Sequence, residues 1–580
     1  MHHNFSRVPA IDIQRSVFNR SAGYKTTLQS DYLVPIYFDE VLPGDSFKVK
    51  TSCLLRFNDL LRPFMDNLYM DVFYFFVPYR LVWDNWVKLC GEQKNPGDST
   101  DYLVPQINCK AEDRMQQSIY DYFGIPQAGQ TYLANGYKLV GSMVDGVYTP
   151  SAFEKISDGT QIAYDSPEGV ALREKTVSFS ALWFRAYNLI WNEWFRDENL
   201  QDQVEVPMTD GPDDASLYQL LKRGKRHDYF TSCLPWPQKG PTVNLPLGAT
   251  APVRSYTGDM TARADELTSL QAYLPTGQKY PQNDSFRAFA AVPRAVEGSL
   301  MQGVEVSSSY TAQRRDLAFG LYTDLSGATS ATINQLREAF AIQRMYEKDA
   351  RGGTRYTEIL QNHFHVVNPD LRLQRPEFIG HTSERINVIA VPQSSSATNE
   401  SPQGNLAAYS VTGGNTGFVH SFGEYGVVMG LISIRADLTY QQGLDRILSK
   451  RTRFDFYWPG LAHLGEQAVL NKEIYSEGGV NEDDDKVFGY QERYAEYRYK
   501  KSLITGYLNS VNPLPIDQWH LSQKFDNLPT LSSEFIQEKV PIERVVAITD
   551  QPPFLLDVYH DIKAARPMPV FGVPGLIDHF

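Results

Sequence analysis

The chain has 580 residues, of which 42% are hydrophobic, 13% aromatic and 21% charged. Its formal net charge of −13 argues against a freely exchanging nucleic-acid binder, because the phosphate contribution to such binding requires clustered positive charge. The length suggests several domains at about 150 residues each, yet no Gly/Ser-rich or strongly charged linker divides the sequence, which favours one architecture with long insertions.

The N-terminus is a local exception to the acidic balance. Arg7, Arg15, Arg20 and Lys25 stand against a single acid, Asp12, in a stretch rich in Ser, Asn and Gln. The same stretch has no apolar signal core, and the longest aliphatic run of the chain is too short to cross a bilayer. We therefore expect a basic arm on an acidic protein that is made and kept in a cytosol.

Two strands are predicted early in the chain. Ser46–Cys53 alternates with period two, as a half-buried strand does, and follows the turn signal Pro43-Gly44-Asp45. Asp71–Val77 is apolar on both faces, which predicts a strand covered on both sides and ended by Pro78. Both patterns favour a framework of β-sheet.

A helix with a strongly aromatic stripe is predicted between Ser180 and Asn199. Its large side chains recur at helical spacing, at Trp183, Tyr187, Ile190, Trp191 and Trp194. Such a stripe is typical of a core face and not of a cofactor site.

Residues 254–331 differ in texture from the rest of the chain. They are rich in Ala, Ser, Thr and Gly, with scattered Arg and Asp and no sustained apolar period. A long excursion of this kind is usually functional or mobile. We interpret it as a surface insertion between two denser segments.

A second helix is predicted directly after this insertion. Thr332–Gln335 has the form of a capping box, and the glycines at 352 and 353 provide a stop. The helix is expected to bury Ile333, Leu336 and Phe340.

Two later aromatic or aliphatic runs indicate further strands. Tyr425–Arg435 is mostly apolar, with glycines where neighbours can approach closely, and predicts a buried strand. Phe454–Trp458 is interpreted as another strand, ended by Pro459. β-structure is therefore expected to form the frame late in the chain as well.

Three charged runs are most simply surface features. Lys222–Arg226 and Lys450–Arg453 are expected to be solvated or ion-paired faces. Glu482–Asp485 follows two glycines and could hold calcium, but its spacing is not that of an EF-hand loop, which favours a solvated turn.

The end of the chain, Arg566–Phe580, is extended and rich in proline. Pro567, Pro569 and Pro574 each remove a backbone donor, so the segment can follow a groove or a sheet edge but cannot enter a central strand. It also has too many large apolar side chains to remain in water. The tail needs another surface, which indicates a subunit of an assembly.

The sequence gives little support for a metal or cofactor. Cys53, Cys90, Cys109 and Cys233 show no CxxC spacing and no neighbouring histidine cluster, so we expect reduced packing residues. No cofactor and no metal are predicted.

One enzymatic alternative deserves consideration. His363 and His365 flank one apolar residue and could bind a divalent metal, as in rolling-circle nicking enzymes, while Tyr490 and Tyr494 are spaced by one helical turn. With 34 tyrosines and 11 histidines, chance pairs are expected, and no third ligand follows. A β-sandwich that binds or cleaves carbohydrate is a second alternative, and it should show an exposed aromatic platform or a carboxylate pair.

Long strings throughout the chain resemble the major capsid proteins of gokushoviruses, small single-stranded DNA bacteriophages of the Microviridae. These strings are Arg56–Leu68, Phe75–Trp83, Trp191–Asp197, Lys225–Ser232, Asp349–Tyr356, Arg435–Gly443, Phe488–Arg498 and Val573–Phe580. The resemblance covers nearly the whole chain and is weakest in 254–331. The second histidine of the His363–His365 motif is not a family feature, which counts against a metal there.

The resemblance implies a mainly β fold, a single eight-stranded antiparallel jelly roll with long loop and helix insertions. It implies a structural protein, not an enzyme, of which sixty copies close a T=1 icosahedral shell around circular single-stranded DNA. The implied partners are an internal scaffolding protein, a pilot protein, a small DNA-binding protein and a receptor on the host-cell surface. The expected location is the virion capsid, assembled in the cytoplasm of a bacterial host.

Five regions follow from these expectations. Residues 1–35 are the basic arm, inside the shell, and 36–253 are the first jelly-roll strands with helical insertions. Residues 254–331 are the insertion that forms a threefold protrusion and meets the host. Residues 332–500 hold a helix and the remaining strands, and 501–580 are an extended tail that packs on neighbouring subunits.

Two sets of site residues are expected. Arg7, Arg15, Arg20 and Lys25 are candidates for contact with DNA phosphates, with aromatic side chains nearby for base stacking. The candidates for subunit contact lie in the tail and are Arg566, Pro567, Met568, Phe571 and Phe580.

Overall fold

The structure is a computed structural model of the chain. It describes residues 14–144, 147–241, 333–352, 374–394, 404–479, 482–549 and 551–571, with the short pieces 253–255, 272–273, 318–319, 321–323, 358 and 361–363. The chain divides into two compact units: the first comprises residues 1–239 and 347–580, and the second residues 240–346.

β-strands dominate the described residues. In chain order they are β1 (Ser16–Asn19), β2 (Ala22–Leu28), β3 (Val34–Val41), β4 (Ser46–Leu60), β5 (Leu68–Pro78), β6 (Gln106–Lys110), β7 (Tyr137–Val144), β8 (Val147–Lys155), β9 (Gln161–Ala163), β10 (Thr176–Ser180), β11 (Val253–Ser255), β12 (Ala272–Tyr273), β13 (Ala318–Phe319), β14 (Leu321–Thr323), β15 (Glu377–Ile386), β16 (Val388–Pro392), β17 (Leu406–Ser421), β18 (Gly426–Ala436), β19 (Glu466–Leu470), β20 (Val487–Glu492) and β21 (Phe554–Arg566).

Helices are fewer and mostly short. Within the same residues they are α1 (Trp86–Leu89), α2 (Ile119–Tyr122), α3 (Ala128–Ala134), α4 (Pro167–Arg173), α5 (Leu182–Trp194), α6 (Ile333–Arg351), α7 (Asn471–Ile474) and α8 (Ser533–Ile536). In this part of the chain no helix is both long and apolar enough to cross a membrane.

Two antiparallel sheets of the first unit enclose its main core. The larger has the order β1-β21-β4-β17-β16, with β2 also paired to β21, and the smaller has the order β15-β5-β18-β3. The mainly β sandwich confirms the predicted fold class. The orders β2-β21-β4-β17 and β3-β18-β5-β15 are those of an eight-stranded jelly roll.

The smaller sheet is buried on both faces. On β5, Val72 and Tyr74 belong to the core between the sheets, whereas Phe73 and Phe75 belong to a second core on the other side. The prediction for Asp71–Val77 is therefore confirmed, and the prediction for Tyr425–Arg435 is confirmed by β18.

Helix α5 covers the outer face of the smaller sheet, as its aromatic stripe predicted. Tyr187, Ile190 and Trp191 are buried in the second core. The Tyr187 hydroxyl donates to the Leu33 carbonyl at 2.8 Å, and buried Arg185 pairs with Asp213 at 2.6 Å. These two polar contacts of α5 are buried within an otherwise apolar core.

The larger sheet is buried on one face only. Along β4, Phe47, Val49 and Leu55 are buried, whereas Lys48 and Lys50 between them are exposed. The period-two pattern predicted for Ser46–Cys53 is confirmed, and β21 alternates in the same way. One face of this sheet is consequently open to solvent.

Two predicted regions differ from the structure. Residues 16–28 are not a free arm, because β1 and β2 both pair with β21. Residues 554–566 are not an extended tail on a neighbour, because β21 lies between β4 and the N-terminal strands. The predicted regions 1–35 and 501–580 therefore contain strands of one sheet, in which β1 and β2 pair with β21 and β21 pairs with β4.

The strand predicted at Phe454–Trp458 is wrong. Arg453–Asp455 form a 3-10 turn, in which the Asp455 carboxylate accepts from the Thr452 amide at 2.7 Å. Phe454 and Trp458 are 62% and 42% exposed. The density of aromatic residues predicted burial, but within the described residues these side chains are not covered.

The second unit contains the predicted surface insertion, residues 254–331. Its described strands form two short antiparallel pairs, β11 with β14 and β12 with β13. The rest of this insertion lies outside the described residues, and the protrusion stays a prediction.

Helix α6 confirms the helix predicted after the insertion, and Gly352 follows its last residue. Leu336 is half-buried, but Phe340 is 66% exposed, so its predicted burial is wrong. The side chain of Ile333 lies outside the described residues. Helical spacing identified an apolar stripe without revealing what covers it.

Candidate assembly and nucleic-acid surfaces

Three of the four predicted DNA contacts lie at the N-terminal strands of the larger sheet. Arg15 donates to the Ser46 hydroxyl at 3.1 Å, and Arg20 donates to the Asp39 carboxylate at 2.7 Å. Lys25 pairs with Asp557 at 2.5 Å. Arg7 lies outside the described residues. Arg20 and Lys25 therefore already have acidic partners within the chain.

The predicted tail contacts divide into an internal and an exposed group. The Arg566 guanidinium donates to the Glu40 carbonyl at 2.8 Å and lies 3.4 Å from the Asp45 carboxylate. Arg566 is thus engaged with its own chain, and its role in subunit contact stays a prediction. These contacts follow from its position as the last residue of β21.

Beyond β21 the described residues of the tail, 567–571, are mostly exposed. Pro567 is half-buried, whereas Met568 and Phe571 are 41% and 83% exposed. Phe580 lies outside the described residues. The accessible part of the predicted contact set therefore begins at Met568.

A larger apolar surface lies on the 3-10 turn where a strand was predicted. We call it the aromatic surface, and it consists of Phe454, Phe456, Tyr457, Trp458 and Tyr497. These five side chains are 62%, 53%, 51%, 42% and 50% exposed, in that order. The sequence contained the signal, a run of four aromatic residues in five, but we assigned it to a buried strand.

Stacked cations and a buried ring hold the aromatic surface in place. The Lys450 ammonium lies 3.8 Å from the ring centre of Tyr497, and the Arg453 guanidinium 4.6 Å from that of Trp458. Tyr457 packs edge-on against buried Tyr494, with ring centres 5.3 Å apart. The surface is preorganised, because its rings have fixed partners on the inner side.

A buried charge cluster lies where β5, β15 and β18 meet segment 222–226. Asp71 on β5 is fully buried and forms ion pairs with Arg223 and Arg435, at 2.5 and 2.6 Å, and it accepts a hydrogen bond from Arg223. Burial alone would raise the pKa of Asp71, but the two guanidiniums hold that pKa below its usual value. This confirms ion pairing for the basic run at 222–226 and shows that it is internal.

A second group of buried ionisable residues adjoins that cluster. Burial raises the pKa of Asp31 to about 6, although the Val540 amide donates to its carboxylate at 3.1 Å. Burial also raises the pKa of Glu538 and lowers that of Lys225. All three side chains are buried in the interior of the first unit.

The two tyrosines of the nicking alternative are not arranged as that alternative requires. His363 contacts Asp349 at 2.5 Å, and His365 lies outside the described residues. Tyr490 lies on β20, whereas Tyr494 follows that strand and is buried, so the two are not on one helical turn. Among the described residues no group of three His, Cys, Asp or Glu side chains is placed to hold a metal.

The whole sequence is similar to known phage capsid proteins. Residues 6–139 and 158–576 match the family described as Capsid protein (F protein). The chain is 42% identical over 583 residues to capsid protein VP1 of Bdellovibrio phage phiMH2K, covering 100% of this chain and 98% of that protein. It is 41% identical over 631 residues to capsid protein VP1 of Chlamydia phage 1, covering 99% and 98%. The identity to capsid protein VP1 of Spiroplasma virus 4 is 32% over 598 residues, covering 99% and 97%.

Proposed function

The chain belongs to the phage F capsid protein family, and from this we propose that sixty copies of it close a T=1 icosahedral shell around circular single-stranded DNA. Its role is that of a structural capsid protein, and it is a component of the virion. The number of copies, the geometry of the shell and the nature of the genome are the proposal.

The aromatic surface is the observation that best supports self-association. Five exposed rings in one place are costly in water, because burying apolar area is worth about 25 cal/mol per Å². Aromatic residues are enriched in the cores of subunit interfaces, and closed symmetry lets identical copies cover one another's patches. A sugar-binding platform would also expose rings, but similarity to capsid proteins over the whole chain favours contact between subunits.

The exposed tail provides a second point of contact. Phe571 is 83% exposed and follows two prolines that prevent the segment from closing onto the sheet by backbone pairing. We assign residues 567–580 to a groove on a neighbouring subunit.

The proposed partners follow from charge and from the second unit. A chain with a net charge of −13 cannot neutralise a packaged genome alone, so a small basic DNA-binding protein is assigned most of that task. An internal scaffolding protein and a pilot protein are assigned to assembly in the cytoplasm of a bacterial host. The segment 254–331 is assigned to a threefold protrusion that meets a receptor on the host-cell surface.

Negative-stain electron microscopy of the chain co-produced with a scaffolding partner tests the shell. Uniform icosahedral particles are expected, since closure is the property that neither enzymatic alternative predicts. Small species alone, with the partner present, would contradict the proposal. Deleting 254–331 then tests the protrusion, and unchanged host attachment by assembled particles would reject that assignment.

A further inference from the structure

The larger sheet exposes a regular set of side chains on its outer face. The exposed members on its central strands and on β2 include five cations, Lys25, Lys48, Lys50, Arg56 and Lys563. Among the side chains that the structure describes on these strands, the acids at outward positions are Asp557 and Asp561, and Asp557 pairs with Lys25 at 2.5 Å. We call this set the outer sheet face. It has a local excess of three positive charges on a chain whose net charge is −13.

The strand register places three lysines close to one another. Lys48 on β4 lies opposite Lys563 on β21, and Lys50 lies opposite Asp561. Along β4, Lys48 and Lys50 are separated by two residues, about 6.8 Å. Within the described part of the chain no ion pair reaches these three lysines. Like charges placed side by side destabilise a sheet slightly, so their grouping favours an anionic ligand.

An exposed ring lies among the three lysines. Tyr559 on β21 is 55% exposed, and its cross-strand neighbours are small, Ser52 on one side and Gly23 on the other. Lys50 is its diagonal neighbour, two residues along β4 from Ser52. The ring therefore lies in an open setting where a flat group can stack on it, within reach of an ammonium group.

An open groove continues the face towards β2. It encloses about 620 Å³, and its lining includes Lys25, Arg56, Leu555 and Asp557. Asp121 at its rim has internal partners, because its carboxylate accepts from the Gln117 amide and the Gln127 side chain. The groove extends the path available to an elongated ligand beyond the lysine group.

We propose that the outer sheet face binds single-stranded nucleic acid, with Tyr559 stacking on a base and Lys48, Lys50 and Lys563 contacting phosphates. Alternating cations around an exposed ring are the means by which proteins hold single strands without reading sequence. This inference rests on the proposed function, since a packaged single-stranded genome is the ligand that would meet the face. In this proposal Lys25 contacts nucleic acid from strand β2 and not from a free arm.

Oligonucleotide binding by the purified full-length chain tests the face without requiring particles. The probe is an unstructured thirty-nucleotide thymidine strand, and its affinity is measured at several salt concentrations. For single strands the logarithmic salt slope is about 0.7 per neutralised phosphate. The variant Lys48→Ala/Lys50→Ala/Lys563→Ala should therefore lose about 2 from that slope. The matched control, Lys94→Ala/Lys155→Ala/Lys175→Ala, removes three exposed lysines away from the face and should keep the wild-type slope.

Tyr559 provides a second, independent readout. Tyr559→Ala should weaken binding of the strand about tenfold or more, whereas Tyr559→Phe should retain the affinity, because stacking requires only the ring. A thermal melt of each variant shows whether the sheet is intact.

Three results would overturn the inference. A salt slope equal in the two lysine triples would do so, as would equal weakening by Tyr559→Ala and Tyr559→Phe. If the triple variant Lys48→Ala/Lys50→Ala/Lys563→Ala lost particles but kept its affinity for the oligonucleotide, the face would instead be a contact between copies of the chain. These results can be told apart from a failure of the proposed function. If the chain does not form a shell, the wild-type chain gives no particles, whatever its affinity for the oligonucleotide.

Discussion

At the scale of single residues, the most consequential group is buried Asp71. Its carboxylate neutralises two guanidiniums, Arg223 and Arg435, and links segment 222–226 to the end of the smaller sheet. The position of a carboxylate in a run as apolar as Asp71–Val77 was visible in the sequence. Its partners were not, because they come from distant segments.

Replacing Asp71 with Asn should destabilise the chain by about 3–5 kcal/mol, since it leaves two buried guanidiniums without their counter-charge. Asp557→Asn is the matched control, because it removes an ion pair whose Lys25 side chain is 77% exposed. That change should cost less than about 1 kcal/mol. Denaturant unfolding of the unassembled chain measures both, and equal losses would contradict the role of Asp71.

Asp31 provides a test by pH. Its pKa is raised to about 6 by burial, so the folded chain binds its proton more tightly than the unfolded chain does. Stability contributed by this group is therefore present at low pH and is lost as pH rises from about 4 to about 6.

The variant Asp31→Asn is neutral at every pH and can still accept from the Val540 amide. Asn also tolerates the positive φ of 80° at this position. It should match the wild type near pH 4 and be more stable by about 2–3 kcal/mol above pH 6, which follows from a pKa shift of about two units. Unfolding free energies measured from pH 4 to pH 7 give the comparison, and a constant difference would argue against Asp31 as the titrating group.

At the scale of elements, alternation and apolar runs located strands well. Ser46–Cys53 and Asp71–Val77 lie inside observed strands, and Tyr425–Arg435 does so except for its first residue, since side-chain period reports directly on which faces are covered. Phe454–Trp458 failed because an aromatic run indicates only that burial is required. Whether the same chain or another copy supplies the cover is not written in the local sequence.

The two ends of the chain were the other failure. The N-terminal cations were read as a free arm and the last eighty residues as a tail, because charge and proline dominate those stretches. The partner strands decide otherwise, because β1 and β2 each pair with β21. Pairing between distant segments has no local signal.

The boundary between β21 and the exposed tail gives a sharp truncation. A chain ending at Arg566 keeps every strand of the larger sheet and the Arg566 contacts with Glu40 and Asp45. It should unfold at the wild-type temperature but yield few or no particles. The control is a chain ending at residue 553, which lacks β21 and should fail to fold. Normal particle yield from the first truncation would show that residues 567–580 are dispensable for assembly.

At the scale of the whole molecule, the first unit buries its smaller sheet on both sides, and three surfaces stand exposed among its described residues. These are the outer sheet face, the aromatic surface and residues 567–571. Each has a different composition, basic, aromatic and proline-rich, which suits contacts of different kinds. The sequence predicted a subunit of an assembly. Only the fold shows which of its apolar and charged residues are exposed and which belong to the core.

Assembly should depend on the aromatic surface more than on exposed rings in general. Phe454→Ala/Trp458→Ala is expected to reduce particle yield at least tenfold, while changing the stability of the unassembled chain by less than about 1 kcal/mol. Phe340→Ala removes a ring of similar exposure, 66% against 62% for Phe454, and should leave the yield unchanged. Sedimentation of particles and free subunits measures the yield, and equal effects of the two changes would count against the assignment.

The pairing of β2 with β21 also determines when the larger sheet can be completed during translation. Lys25 meets Asp557, 532 residues later, across the β2–β21 pair. During translation β4 has no partner on its β21 side until nearly the last codon is read, and contacts so distant in sequence form slowly. A ribosome-bound fragment therefore cannot present a finished sheet to other subunits. Completion of the polypeptide becomes the checkpoint that keeps truncated chains out of a growing particle.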